Sequence, residues 1–288
     1  MQKYSLPHQI WRALYPPLIF IGVSYFTSMI VFAVSASLID YYNEIDWSDA
    51  TEAVFIEYGN YFNLITYVVC IIIFALMWSK MKENLPVYES GNLKSTTSIL
   101  TVAMFVGLNC TIVAFLEITN LIIVFPSFGE VAEVLLGGSF IIRVVSLGIA
   151  VPVFEELLFR GIVLNRLLSW LPKWAAVLIG SALFGLIHFN LLQGLLTFGL
   201  GIVFSLLYLR YRSIWIPIVA HAAFNLANVI LVEILIAFGI ALNFWLLLLA
   251  SLLIVAASVM LMIKYTTPAY LKERTGEAET VQNAHSEG

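Results

Sequence analysis

Charge is scarce in this chain: Asp, Glu, Lys and Arg make up 11% of its 288 residues, where a soluble domain carries about a quarter. Basic charge is scarcer still. The 14 Lys and Arg form no long stripe and the net charge is −4, so the counterion-release footprint of a nucleic-acid binder is missing. Cysteine is almost absent. Cys70 and Cys110 both sit in apolar runs, which excludes a disulfide scaffold and a cysteine zinc site and leaves them as packing residues. No polar stretch between apolar segments is long enough to fold a core of its own, and no internal repeat or Cys-a-a-X lipidation box appears. What remains is apolar: 61% hydrophobic residues and a mean hydropathy of +0.96 define an integral membrane protein.

A helix needs about 20 mostly apolar residues to cross the hydrocarbon core. On that ruler the sequence predicts an all-α, polytopic transmembrane helix bundle of about eight spans: 16–39, 61–79, 97–125, 138–165, 173–190, 192–210, 214–240 and 243–264. Between Asp40 and Asn60 lie six acids and no Lys or Arg, which reads as a solvated outer loop. Lys3, Arg12, Lys80, Lys82, Lys94, Arg166, Lys173, Arg210, Arg212, Lys264, Lys272 and Arg274 then fall on one side, so the positive-inside rule puts both termini in the cytoplasm. The first apolar stretch follows Lys3 and Arg12 like a secretory signal, with Ala33-Val34-Ser35 as a small-residue site. It is too long for an h-region and reads as a retained anchor. Residues 266–288 read as a polar, disordered tail.

An ionised side chain at the bilayer centre costs about 2.5–3.5 kcal/mol even on lenient scales. Such groups nevertheless cluster here, with Glu155, Glu156 and Arg160 in the fourth span, His188 in the fifth, and His221 with Asn225 in the seventh. Glu156 and Arg160, four apart, share a helix face and can neutralise each other. Glu155, about 100° round the helix from Glu156, is free to face a cavity. Pro152 lacks an N–H and crowds the Gly148 carbonyl, so the helix opens or kinks one turn before the acids. Phe184 with His188, and His221 with Asn225, each project from one face. Two histidines and a carboxylate could hold and deprotonate a water, and a His with an Asn amide could receive the charge on an attacked carbonyl oxygen. Glu117, Glu233 and Arg143 lie in apolar spans outside this cluster and read as ion-paired or snorkelling residues. Gly185, Gly194, Gly199 and Gly201 read as sites of close helix packing.

The blocks Glu155-Glu156-Leu157-Leu158-Phe159-Arg160, Phe184-Gly185-Leu186-Ile187-His188 and His221-Ala222-Ala223-Phe224-Asn225 resemble the EExxxR, FxxxH and HxxxN motifs of the CAAX-protease and bacteriocin-processing (CPBP, or Abi) family, which includes the type II CAAX prenyl endopeptidases. Order, spacing and placement on three spans agree. The resemblance covers roughly 138–230 and implies an intramembrane glutamic protease. It makes Glu155 the general base acting with His188, has Glu156 and Arg160 orient and balance that acid, forms the oxyanion hole from His221 and Asn225, and uses Phe184 as a wall. The chain then divides into N-terminal transmembrane helices (1–130), a catalytic core (138–230), a C-terminal transmembrane segment (231–265) and the tail (266–288).

The expected activity is endopeptidase cleavage of a membrane-associated or lipidated substrate in a prokaryotic plasma membrane. The partners are the lipid bilayer and a peptide or lipidated protein, with no nucleic acid and with the oligomeric state open. No cofactor is expected. A zinc hydrolase using Glu155, His188 and His221 is a lesser alternative, since H-E-x-x-H is lacking. A proton-coupled transporter with a Glu155–Glu156 relay is another. The main alternative function is a non-enzymatic membrane protein of the same fold, acting in bacteriocin immunity or sensor-kinase regulation.

Overall fold

The computed structural model describes residues 5–42, 47–81, 95–238 and 242–266, and among these every regular element is a helix. Backbone groups in lipid have no water to bond, so long apolar runs close their hydrogen bonds internally. They give α1 (Leu6–Tyr42), α2 (Trp47–Met81), α3 (Ser95–Ile118), α4 (Pro126–Leu136), α5 (Phe140–Leu168), α6 (Lys173–Leu186), α7 (Leu191–Tyr211), α8 (Trp215–Phe238) and α9 (Phe244–Tyr265). Six of them, α1, α2, α3, α7, α8 and α9, are long and apolar enough to cross a membrane. Their outward faces carry exposed large apolar residues such as Phe26, Ile72, Trp245 and Leu253. The protein is an integral, multi-pass membrane protein.

At the centre lies α5, packed by α1, α2, α6, α7 and α8. Every residue from Phe154 to Leu167 is buried, which requires a helix largely apolar all round, and two of its polar exceptions are bonded to neighbouring helices. Asn165 Nδ2 donates to the Tyr208 hydroxyl at 2.7 Å and to the Arg160 carbonyl at 2.8 Å. Arg166 donates to the Tyr15 hydroxyl at 2.7 Å and to the Arg12 carbonyl. Phe154 stacks on Tyr67 and meets Phe20 at a tilt, with ring centroids 5.0 and 4.9 Å away. Two stretches of α5 are wound as π-helix, Ser146–Ala150 and Leu157–Leu164, and they flank the turn that carries the acids.

The structure shortens some predicted spans and adds an element. The run 97–125 is not one helix: α3 stops at Ile118, Asn120 takes a left-handed φ of 54°, and Pro126 opens α4 at its first turn, the position proline tolerates best. α4 meets α5 at 109° across Gly137–Ser139, as a re-entrant or broken segment. Its last carbonyls are met from outside the helix. Asn60 Nδ2 lies 2.9 Å from the Leu135 carbonyl and 3.2 Å from that of Gly137, and Arg143 donates to the Leu136 carbonyl at 2.7 Å. Arg143 also pairs with Glu233, as ion pairing of these two residues requires.

The first span begins ten residues before the predicted start and carries Pro16 and Pro17 within it. α6 has 14 residues, a length of about 21 Å that falls short of a full crossing. The acidic segment is largely not a loop, because α1 runs to Tyr42 and α2 starts at Trp47. Residues 43–46 of that segment, the tail from residue 267, and Lys3, Lys82, Lys94, Lys272 and Arg274 lie outside the described residues. Cys70 is buried, Cys110 partly so, and both are free thiols.

Glycine sets the α6–α7 crossing. A Cβ at Gly185 would lie 2.5 Å from the Gly194 carbonyl oxygen, a backbone atom that cannot move aside, whereas one at Gly199 meets nothing within 4 Å. Gly199 therefore does not serve helix packing. Gly185→Ala is expected to destabilise the fold by about 1–3 kcal/mol. Gly199→Ala should be neutral or slightly stabilising, and thermal unfolding of the two detergent-purified variants checks the contrast.

Candidate active site

Glu155 and Glu156 are adjacent on α5 yet have different surroundings. Glu156 is fully buried, and its Oε1 accepts from Arg160 Nη1 at 2.9 Å and from His221 Nδ1 at 3.0 Å. The first bond follows from i,i+4 spacing; the second crosses 65 residues to α8. Arg160 is held in turn by the Gly201 carbonyl at 3.0 Å, and its guanidinium lies over the rings of Phe184 and Phe204 at 4.5 and 5.1 Å. A continuous chain thus runs from α7 through Arg160 and Glu156 to His221.

Glu155 lines a cavity of about 270 Å³ that also receives Phe184, His188, His221 and Asn225. Its Oε2 is buried with no hydrogen-bond partner in the protein and stands 3.7 Å from His221 Nε2, too long for a direct bond. One acid is therefore fixed by its neighbours and the other presents a carboxylate oxygen to the cavity.

His188 does not sit on a regular helix. It lies in the turn after α6, closed by its own N–H to the Gly185 carbonyl at 3.3 Å and followed by Phe189 at φ 50°. Its Nδ1 is 2.9 Å from the Phe184 carbonyl. A carbonyl only accepts, so Nδ1 carries the proton and Nε2 is left as the acceptor of the neutral ring. Phe184 does more than wall the site: its ring meets His188 edge-on at 5.3 Å and His221 at 6.1 Å, separating the histidines and covering Arg160. Phe204, absent from the predicted set, stacks on His221 at 5.0 Å.

Asn225 has a place in the α5 backbone. In the π-helical stretch the Val151 N–H reaches the Ser146 carbonyl, so the next bond of that register would run from residue 152 to the Leu147 carbonyl. Residue 152 is proline and has no N–H. Asn225 Nδ2 supplies the missing donor to Leu147 O at 2.9 Å, tying α8 to the break that Pro152 creates. The amide's second N–H is not used in that bond. Asn225→Leu leaves the Leu147 carbonyl without this donor and is expected to cost about 1–3 kcal/mol, read as a lower Tm alongside any loss of activity.

Of the seven predicted residues, five surround the cavity, while Glu156 and Arg160 stand behind it as a buried brace. Glu155, His188 and His221 line one cavity, yet among the described residues no group of three or more His, Cys, Asp and Glu side chains is placed to hold a metal ion.

Fold and site together define a polytopic helical membrane protein with an acid–histidine centre inside its bundle. Residues 137–227 match the family model described as type II CAAX prenyl endopeptidase Rce1-like. The Bacillus subtilis (strain 168) protein "Putative membrane peptidase YdiL" is 39% identical over 80 residues, 28% of this chain and 33% of that protein. The match thus spans about a third of the length of the curated relative. No solved structure matches. Over residues 137–227 the chain is thus similar to the type II CAAX prenyl endopeptidase Rce1-like family and to a bacterial membrane peptidase.

Proposed function

We propose that the protein is an intramembrane endopeptidase of the glutamic type, acting on a membrane-associated or lipidated substrate, with 138–230 as its catalytic core and the flanking helices as its frame. One observation carries the reading: Glu155 offers an unpartnered carboxylate oxygen to the cavity while Glu156 is held by Arg160 and His221. In this reading water is held between Glu155 and His188 Nε2. Glu155 takes a proton as the water oxygen bonds to the scissile carbonyl carbon. The carbonyl oxygen gains the negative charge opposite the second N–H of Asn225 and Nε2–H of His221. Collapse then breaks the C–N bond, and the amine leaves with the proton from Glu155.

His221 donates from Nε2 only as an imidazolium, because its Nδ1–H goes to Glu156. The family match and the printed name of the Bacillus relative support a peptidase. The apolar part of the cavity, with Val131, Leu135 and Val229, suits a hydrophobic side chain or lipid-bearing segment.

The experiment is mass-spectrometric mapping of new peptide termini in host membranes expressing wild type or Glu155→Gln at matched levels. Termini seen only with wild type are the expected result. Identical maps, with an intact phenotype in both strains, would replace the peptidase with a non-enzymatic membrane partner.

A further inference from the structure

The cavity that Glu155 lines is also walled by one face of α3. Asn109, Ile112, Val113 and Leu116 all line it, the i, i+3, i+4, i+7 spacing of a single helical face. Three of the four are apolar, and Asn109 is the polar exception. It is 3% exposed, and its Oδ1 has no hydrogen-bond partner in the protein. A neighbouring strip of the same helix is fixed to α9. Thr111 Oγ1 donates to Ser251 Oγ at 2.9 Å, and a Cβ on Gly107 would meet Ile254 and Val255 at 3.1 Å.

Native structures rarely leave a buried amide oxygen unmatched, because its desolvation is then uncompensated. Where the residue bearing such an atom lines a binding cavity, the donor that completes it comes from water or from the ligand. An amide oxygen accepts only, so that donor must be an N–H or O–H. A peptide entering beside Glu155 and His188 brings backbone N–H groups at regular intervals into a wall that otherwise offers no acceptor side chain. We propose that Asn109 is a substrate-contacting residue, its Oδ1 accepting a hydrogen bond from one backbone N–H of the bound peptide. This rests on the peptidase reading and deepens it. Asn109 lies outside the family-matched segment 137–227, so the contact belongs to the N-terminal helices of this chain, and α3 becomes part of the site as well as its frame.

Asn109→Leu, close in volume but without polar atoms, tests it against a synthetic peptide copied from a cleavage site mapped with wild type. A set of ester analogues, each replacing one backbone N–H by oxygen, completes the probe. With the parent peptide the variant is expected to lose about tenfold in kcat/KM, chiefly through KM, the loss of one hydrogen bond held in ground and transition state alike. One ester analogue should be cleaved about tenfold less well by wild type and no worse than the parent by Asn109→Leu. The Tm of the variant should be unchanged or raised, since an unmatched acceptor is replaced by apolar contact.

A Tm lowered by several degrees would make the amide structural and overturn the proposal without reference to any peptide. So would ester effects of equal size in both proteins, which would leave water or nothing at Oδ1. Glu155-dependent cleavage that Asn109→Leu leaves at the wild-type rate sinks this inference alone. Absence of any Glu155-dependent cleavage sinks it together with the peptidase reading.

Discussion

Glu155→Gln is expected to lower cleavage by about 10²–10⁴-fold, the usual contribution of a general base, while the protein remains folded. The amide keeps the shape of the carboxylate but cannot take a proton from water. The fold should tolerate it because Oε2 has no hydrogen-bond partner in the protein to lose. The measurement is the rate of cleavage of a mapped peptide, paired with the Tm of both proteins. Cleavage at the wild-type rate with an unchanged Tm would remove Glu155 from the chemistry. A collapse in Tm would instead make it part of the brace.

Arg160→Leu should have the largest effect on stability. Arg160 is 1% exposed and joins Glu156, the Gly201 carbonyl and two aromatic rings. Its loss leaves the fully buried Glu156 with His221 as its remaining partner. Breaking such a pair from one side costs about 3–5 kcal/mol, which corresponds to a fall in Tm of roughly 10 °C for a chain of this size. Removing both charges in Glu156→Leu/Arg160→Leu should recover much of that stability, because no uncompensated ion remains. Activity should not return, since His221 then lacks the carboxylate that fixes its ring. Monodispersity and Tm in detergent, measured around the full double-mutant cycle, read out both halves. Equal Tm values for wild type and Arg160→Leu would mean that the pair does not hold the site.

Local spacing made much of this visible in the sequence. The Glu156–Arg160 bond is an i,i+4 pair, the break near Pro152 follows from a missing N–H, and the polar residues on three apolar helices stood out because lipid penalises each of them. Contacts made between distant segments were not legible. Nothing in the local pattern ties His221 to Glu156 or Asn225 to the Leu147 carbonyl, and the π register that exposes that carbonyl has no sequence signature of its own.

The sequence did carry a signal for α4 that hydropathy over a long window averages away. Phe128, Val131, Ala132 and Leu135 repeat at helical spacing, with Glu130 and Glu133 exposed on the other side, and Pro126 marks the start. Asn109 passed unnoticed inside a long apolar run, although it is the same kind of exception as Asn225.

The spacing of these partners along the chain also orders how the centre is made. Glu156 and Arg160 are one helical turn apart, so α5 enters the bilayer during synthesis with two of its three central charges already matched. His221 follows Glu156 by 65 residues and arrives only with α8. Until that helix is delivered, Glu156 lacks its imidazole partner and the Leu147 carbonyl has no amide. Chain order therefore gives one late helix two tasks, since α8 both completes the polar centre through His221 and fastens the break in α5 through Asn225.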